Sequence, residues 1–363
     1  MTKEGLLGFF PQLTYKRYGD LIRAYSTIDA AWDATYTDLR SHLPWKEELI
    51  TQFISWKQTL DITHTESVLD KNNITVLSLS DADYPALLKE INDPPPCLFV
   101  WGHLDTSKTA LAVVGTRKPS RYGADVANML VRELVDSGIT IVSGLALGID
   151  ALVHEAVVVN NGYTIAVLGS GIDSRSIAPQ TNLRLAESII EHGGAIISEY
   201  PPGTTATPYT FPRRNRIIAG LSRGTLVIEA GQSSGALITA QCSLDYNRDV
   251  FAVPQQIGSS TGIGVNNLLK QGATVVTDVN DILATFPLYQ TNTKAVQKHI
   301  VTIPTLNDSE SKIYSHIASE PKSIDELIRA SLLPHFVVST TLTLLELKGI
   351  IKHIGGTLYI RIR

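Results

Sequence analysis

The chain has 363 residues, of which 44% are hydrophobic and 18% charged, with a formal net charge of −4. That length accommodates two or three domains, each able to bury its own core. The slight acidity excludes general polyelectrolyte attraction as a basis for nucleic-acid binding, so any such site has to be a local basic patch.

Residues 1 to about 80 read as short helices anchored by Trp32, Trp45 and Trp56, with no strand alternation. This predicts a small helical domain of the SAM-like kind. The opening segment MTKEGLLGFFPQLTYKR has too short an apolar run for a signal peptide, and no run in the chain reaches about 18 apolar residues. A cytoplasmic protein with no membrane association is expected. Two cysteines, Cys97 and Cys242, lie far apart without metal-ligand spacing. They read as plain buried thiols in a reducing compartment, and neither a metal nor a cofactor is expected.

Pro94-Pro95-Pro96 makes a stiff extended lead into a strand at Cys97 to Trp101, within a central domain taken as 81–288. From Leu111 the apolar strand candidates ALAVVG, TIVSG, TIAVLG, GAIISE, GTLVIEA, DVFAVP and ATVVT alternate with helical stretches. The fold class is α/β, a Rossmann-like, mostly parallel sheet covered on both faces. A polar linker, 289–308, precedes a tail at 309–363. There SESKIYSHIASE predicts a helix, Ser323 and Glu326 a capping box opening a second, and Pro334 to Lys348 a third that stops at Gly349. IIKHI, Gly355-Gly356 and TLYI complete a hairpin. Three helices and a hairpin make a winged helix.

Within the sheet, several glycine turns fall at strand ends, where the ligand crevice of an open α/β sheet lies. The loop after ALAVV carries Gly115, Thr116, Arg117, Lys118 and Arg121, giving full positive charge for a phosphodiester. GTRKPSRYG is not GxGxxG, and the next strand ends in Ser143-Gly144 instead of a ribose-binding acid, which disfavours a dinucleotide. In that second loop Gly144 and Gly148 permit either close ligand approach or tight packing. Asp150 and His154, four apart, form either an acid–base dyad or a pair that fixes the loop. Gly169-Ser170-Gly171 is a third turn, followed by Arg175, Asn182 and Arg184. A basic residue in a first helical turn opposes the helix dipole, so Arg184 either faces an anion or is simply solvated. FPRRNRIIAGLS places Arg213, Arg214 and Arg216 around Asn215, with at least one expected to tie loops together through carbonyls. Glu229 then ends a strand, and Ser233-Ser234-Gly235 opens another helix at the same edge.

Taken together, VVGTRKPSRYG, VSGLALGIDALVH, TIAVLGSGID, ISEYPPGT, FPRRNRIIAGLS, VIEAGQSSGALITA and GVNNLLKQGA resemble the DNA-processing protein A (DprA/Smf) family, in order, from about Tyr84 to Asp281. The resemblance implies an extended Rossmann domain that binds single-stranded DNA and dimerises. It also implies a protein that protects incoming DNA and loads the recombinase RecA during natural transformation, with no catalytic residues. The DNA pocket it implies is Gly115, Thr116 and Arg117, Ser143 and Gly144, and Arg184; Lys118, Arg121, Gly169, Asn182 and Arg213 join it as neighbouring candidates. Backbone N–H groups of the glycine turns are expected to assist. Ile177-Ala178-Pro179 and Pro254-Gln255 depart from the family's usual Tyr-Pro and Pro-Gly. In the winged helix only His335 and Lys348 are basic on the third helix, which argues against base readout.

The rival reading is enzymatic, a Rossmann-type nucleotide phosphoribohydrolase with a glycine-Thr-x-x-Glu signature. Here Gly224-Thr225 is followed by Glu229, one residue too far, and the preceding glycine pair is missing.

Overall fold

The computed structural model describes residues 1–286, 306–317, 321–348 and 350–361. They fall in two compact units, Met1–Phe286 and Pro287–Arg363.

The first unit opens with α1 (Lys3–Leu7), α2 (Tyr15–Tyr25), α3 (Ile28–Asp33), α4 (Tyr36–His42), α5 (Glu47–Thr59) and α6 (Ile62–Lys71). Threonines start four of them: the side chains of Thr2, Thr14, Thr27 and Thr35 each accept a backbone N–H of the first turn, which satisfies donors that the helix itself leaves open. Trp56 stacks on Phe53 and meets Trp32 edge-on, and Trp45 meets Phe53 edge-on. The tryptophans are the anchors the sequence suggested. Leu7, Leu21 and Phe53 from these helices share one buried cluster with Leu98, Val142 and Ile217 from the sheet region.

Helix-only character ends sooner than expected, because β1 (Ile74–Ser78) pairs antiparallel with β2 (Cys97–Gly102). Its five residues carry too little alternation to announce a strand, and the partner that stabilises it arrives only after α7 (Ala86–Lys89). The chain continues through β3 (Ala110–Val114), α8 (Arg121–Asp136), β4 (Thr140–Ser143), α9 (Ile149–Val159), β5 (Thr164–Leu168), α10 (Leu183–Glu191) and β6 (Ala195–Ser198). Then come α11 (Thr210–Gly220), β7 (Gly224–Val227), α12 (Gly235–Asp245), β8 (Asp249–Ala252), α13 (Ile263–Lys270), β9 (Thr274–Val275) and α14 (Asn280–Leu283).

The nine strands form one sheet in the order β1-β2-β6-β5-β4-β3-β7-β8-β9. Pairing is parallel from β6 to β9 and antiparallel on either side of β2. Every residue of β3, β4 and β5 is buried, as continuous apolar runs covered on both faces require. α8 turns Ala127, Leu130, Val131 and Leu134 inward, the spacing of one helical face. Strands β3 to β6 progress one way and β7 to β9 the other. The order therefore reverses between β3 and β7, and a crevice opens beyond their carboxyl ends.

In the second unit α15 (Asp308–His316), α16 (Ile324–Ser331) and α17 (His335–Leu347) pack around Ile313, Leu327, Val338, Leu342 and Leu345. The predicted capping box is present, with Ser323 Oγ accepting the Glu326 N–H and Glu326 accepting the Ser323 N–H. β11 (Ile351–His353) and β12 (Leu358–Arg361) form the hairpin, joined by β10 (Lys322–Ser323) in a three-stranded sheet. This is a winged helix. Most of the expected linker at 289–308 lies outside the described residues. No single helix among the described residues is long and apolar enough to cross a membrane.

Candidate nucleic-acid interface

The loops after β3 and β4 meet at the switch point. The Ile149 N–H donates to the Thr116 carbonyl at 3.1 Å. Gly148 has a φ of 82°, and a Cβ there would meet the backbone of Thr116 and Arg117. At Gly115 a Cβ would lie 2.6 Å from the Ile149 side chain. These glycines let two loops close on each other.

The N–H groups of the same loops are largely engaged from within. The buried Asp150 carboxyl sits against the backbone of Gly115, Gly144 and Ala146, which favours its charged form. Thr116 N–H donates to the Glu229 carbonyl at 2.7 Å, Lys118 N–H to Thr116 Oγ1 at 3.2 Å, and Ser120 N–H to Glu229 Oε2 at 2.9 Å. The N–H groups of Thr116, Lys118 and Ser120 are therefore taken up within the protein, and the first loop offers its charge through side chains.

Several candidates act as braces. Ser143 Oγ is fully buried and donates to the Val113 carbonyl at 2.6 Å, inside the sheet. Asn182 Nδ2 donates to the Leu145 carbonyl at 2.9 Å and the Ala146 carbonyl at 3.3 Å, holding the second loop. Gly169 lies against Phe211. Arg214 is the buried arginine that ties carbonyls: its Nη1 donates to Gly144 at 2.6 Å and also to Val167, and its Nε donates to Asn215 Oδ1 at 3.2 Å. Arg216 is likewise buried, on Glu199 at 2.7 Å and Asp93 at 3.0 Å.

The remaining candidates are exposed cations. Arg117, Lys118, Arg121 and Arg184 all face solvent, as does Arg175. Arg121 is 3.8 Å from Asp125, and Arg213, 43% exposed, is 3.5 Å from Glu199. Arg117 lies over the Phe211 ring, 5.3 Å from its centroid, within cation–π range. Phe211 was not singled out from the sequence, although an aromatic directly before Pro-Arg-Arg at a helix start was the available signal.

Gly115, Thr116, Arg117, Asp150, Phe211 and Arg214 line a cleft of about 680 Å³ together with Ser233, Ser234 and Gly235. That is ample for one small ligand or one nucleotide unit. The N-terminus of α12 opens onto it, with Ser234 as its cap. Arg184, in the first turn of α10, is not among the residues lining this cleft.

The family model described as DNA recombination-mediator protein A matches residues 75–287, and that of the DprA winged helix domain matches 301–357. The chain belongs to the DprA/Smf family. Protein Smf of Synechocystis is 36% identical over 94% of each chain. The X-ray structure of DprA from Streptococcus pneumoniae superposes with a TM-score of 0.68 at 34% identity, covering 79% of this chain and 98% of that one. A structure concerned with the single-stranded DNA binding mode of DNA processing protein A from Helicobacter pylori gives a TM-score of 0.52 at 28% identity, over 58% of this chain and 94% of that one.

Both departures from the DprA pattern are accommodated by packing. Ile177 is buried in the cluster around Leu168 and Ile196. Gln255 Nε2 donates to the Ile228 carbonyl at 2.8 Å.

Asp150 and His154 do not form the dyad their spacing allows, because each faces a different partner. Burial pushes the Asp150 carboxyl up, and the Arg214 guanidinium pulls it back. Burial pushes Arg214 down to about 10 while Asp150 opposes that shift. His154 Nδ1 is 2.8 Å from Thr164 Oγ1, whose own hydroxyl donates to the Ile141 carbonyl at 2.8 Å. The Thr164 proton being used there, His154 is the donor, a neutral imidazole protonated at Nδ1.

Burial, reinforced by the Arg214 charge, lowers the His154 pKa from 6.5 to about 3. Between these values the unfolded chain binds a proton that the folded chain does not, so stability falls as pH drops below about 6.5. The contribution is about 1.4 kcal/mol per pH unit. Urea unfolding at about pH 6.5 and 5.5 checks it. His154→Gln is expected to lose that part of the pH dependence, and an equal dependence in both proteins would contradict it.

Proposed function

We propose that the chain binds single-stranded DNA along the switch-point cleft and its basic rim, protects incoming DNA, and loads RecA during natural transformation as a cytoplasmic homodimer. The observation that carries the DNA part is Arg117, exposed over Phe211 at a cleft bounded by the α12 N-terminus. A cation beside an aromatic wall suits a flexible strand, whose phosphates meet charge and whose bases meet rings. Lys118, Arg121, Arg184 and Arg213 extend the cationic rim on this reading. The Helicobacter pylori relative, studied for its single-stranded DNA binding, supports the same assignment. Support for the RecA and homodimer parts comes from family membership.

We read the chain as a binding protein and not as the phosphoribohydrolase. A general acid or base must reach the proton it moves. Glu229 is fully buried, and its Oε2 accepts from both the N–H and the hydroxyl of Ser120, which caps α8. In the winged helix, Lys348 Nζ donates to Glu310 Oε2 at 2.7 Å, and Phe336 is 71% exposed on α17. That surface suits a protein partner better than a DNA groove.

A gel shift with one oligonucleotide, single-stranded and as duplex, tests the reading. The single strand is expected to bind more tightly, with a slope of log K against log salt near −2 to −3.5 if about three to five phosphates are neutralised. Binding indifferent to salt, or preferring duplex, would count against it. Incubation with AMP is expected to release no adenine above background; release abolished by Glu229→Ala would restore the hydrolase.

A further inference from the structure

Tyr209 stands 85% exposed beside the cleft. Single exposed aromatics are common on protein surfaces, and Tyr209 is not itself among the residues lining the cleft, but it stands between residues that are. Thr207 and Pro208 before it and Phe211 and Pro212 after it line the cleft. It occupies the residue just before α11.

The turn that carries it is held rigidly. The Thr207 N–H donates to Thr210 Oγ1 at 3.0 Å, and Thr210 Oγ1 donates back to the Thr207 carbonyl at 2.9 Å. Behind it the Gly171 N–H donates to the Thr204 carbonyl at 2.8 Å, and the Gly203 N–H to Asp173 Oδ1 at 2.6 Å. The segment is thereby fastened to the loop after β5. A ring on a fixed turn loses little conformational freedom when a ligand settles on it. Phe211, two residues on, already has Arg117 over its ring. Tyr209 is the exposed aromatic of this segment.

We propose that Tyr209 is a base-stacking platform, taking the face of one unpaired base while Arg117 meets a phosphate of the same strand. This rests on the reading of the cleft as a single-strand site. It adds a base-dependent contribution that the cations alone do not supply, one tolerant of sequence because every base has a π-face. A base paired in a duplex is stacked on its neighbours and does not present that face.

The test uses the full chain and fluorescence polarisation with two labelled probes of equal length, oligothymidylate and a fully abasic oligonucleotide. The wild-type protein is expected to bind oligothymidylate more tightly. Tyr209→Ala is expected to weaken that binding about tenfold, equivalent to about 1.4 kcal/mol. It should leave the abasic probe and the salt slope unchanged, and Tyr209→Trp should bind like the wild type. A Tyr209→Ala protein that matches the wild type on both probes, or weakens equally on both, overturns the platform while the cleft keeps its strand. A wild-type chain that binds neither probe overturns the platform and the single-strand reading together.

Discussion

Arg214→Ala is expected to destabilise the first unit by about 2 kcal/mol or more, because leaving a buried acceptor unsatisfied costs about 1–3 kcal/mol. The guanidinium is buried, donates to the carbonyl of Gly144 just after β4 and to that of Val167 near the end of β5, and lies near Asp150. Without it the Gly144 and Val167 carbonyls lose this donor, and the buried Asp150 carboxyl loses the nearby positive charge that favours its ionised form. Arg214→Lys should recover little, because an ammonium cannot reproduce the planar fork that spans two carbonyls. Guanidinium unfolding followed by circular dichroism measures the effect. A midpoint shift equivalent to less than about 1 kcal/mol would mean that the loops are held together by other contacts.

Arg117→Ala is expected to leave folding intact and to weaken single-strand binding about tenfold or more, as loss of a charge-assisted phosphate contact does. The salt slope should flatten by roughly 0.7 in the same variant. The change should be similar for all oligonucleotide sequences, since phosphates carry no base identity. Arg184→Ala tells how far the strand runs, because that side chain is exposed outside the cleft lining. Unchanged affinity in Arg117→Ala would place the strand elsewhere and leave the cleft to another ligand.

Strand and helix positions between Leu111 and Thr277 were legible in the amino-acid sequence because the periods that create them are local. Continuous apolar runs mark strands buried on both faces, and Ala127, Leu130, Val131 and Leu134 mark one helical face. The winged helix was legible for the same reason, down to the Ser323–Glu326 capping box. Five residues at Ile74–Ser78 were not, since their strand exists only through pairing with Cys97–Trp101.

At the candidate site the sequence by itself determined which groups gather at the carboxyl edge of the sheet: glycine turns, a basic first loop, a hydroxyl-rich helix start. Tertiary structure alone decided how they divide the work. Ser143, Asn182 and Arg214 are polar residues in motif positions, yet their hydrogen bonds run inward to Val113, to Leu145 and Ala146, and to Gly144 and Val167. Glu229 reaches Ser120 across 109 positions of chain. A polar side chain reads the same in sequence whether its partner is a buried carbonyl or a phosphate in solvent. The cost of leaving a buried donor or acceptor unpaired selects between them, and that cost depends on burial, which only the assembled sheet and loops define.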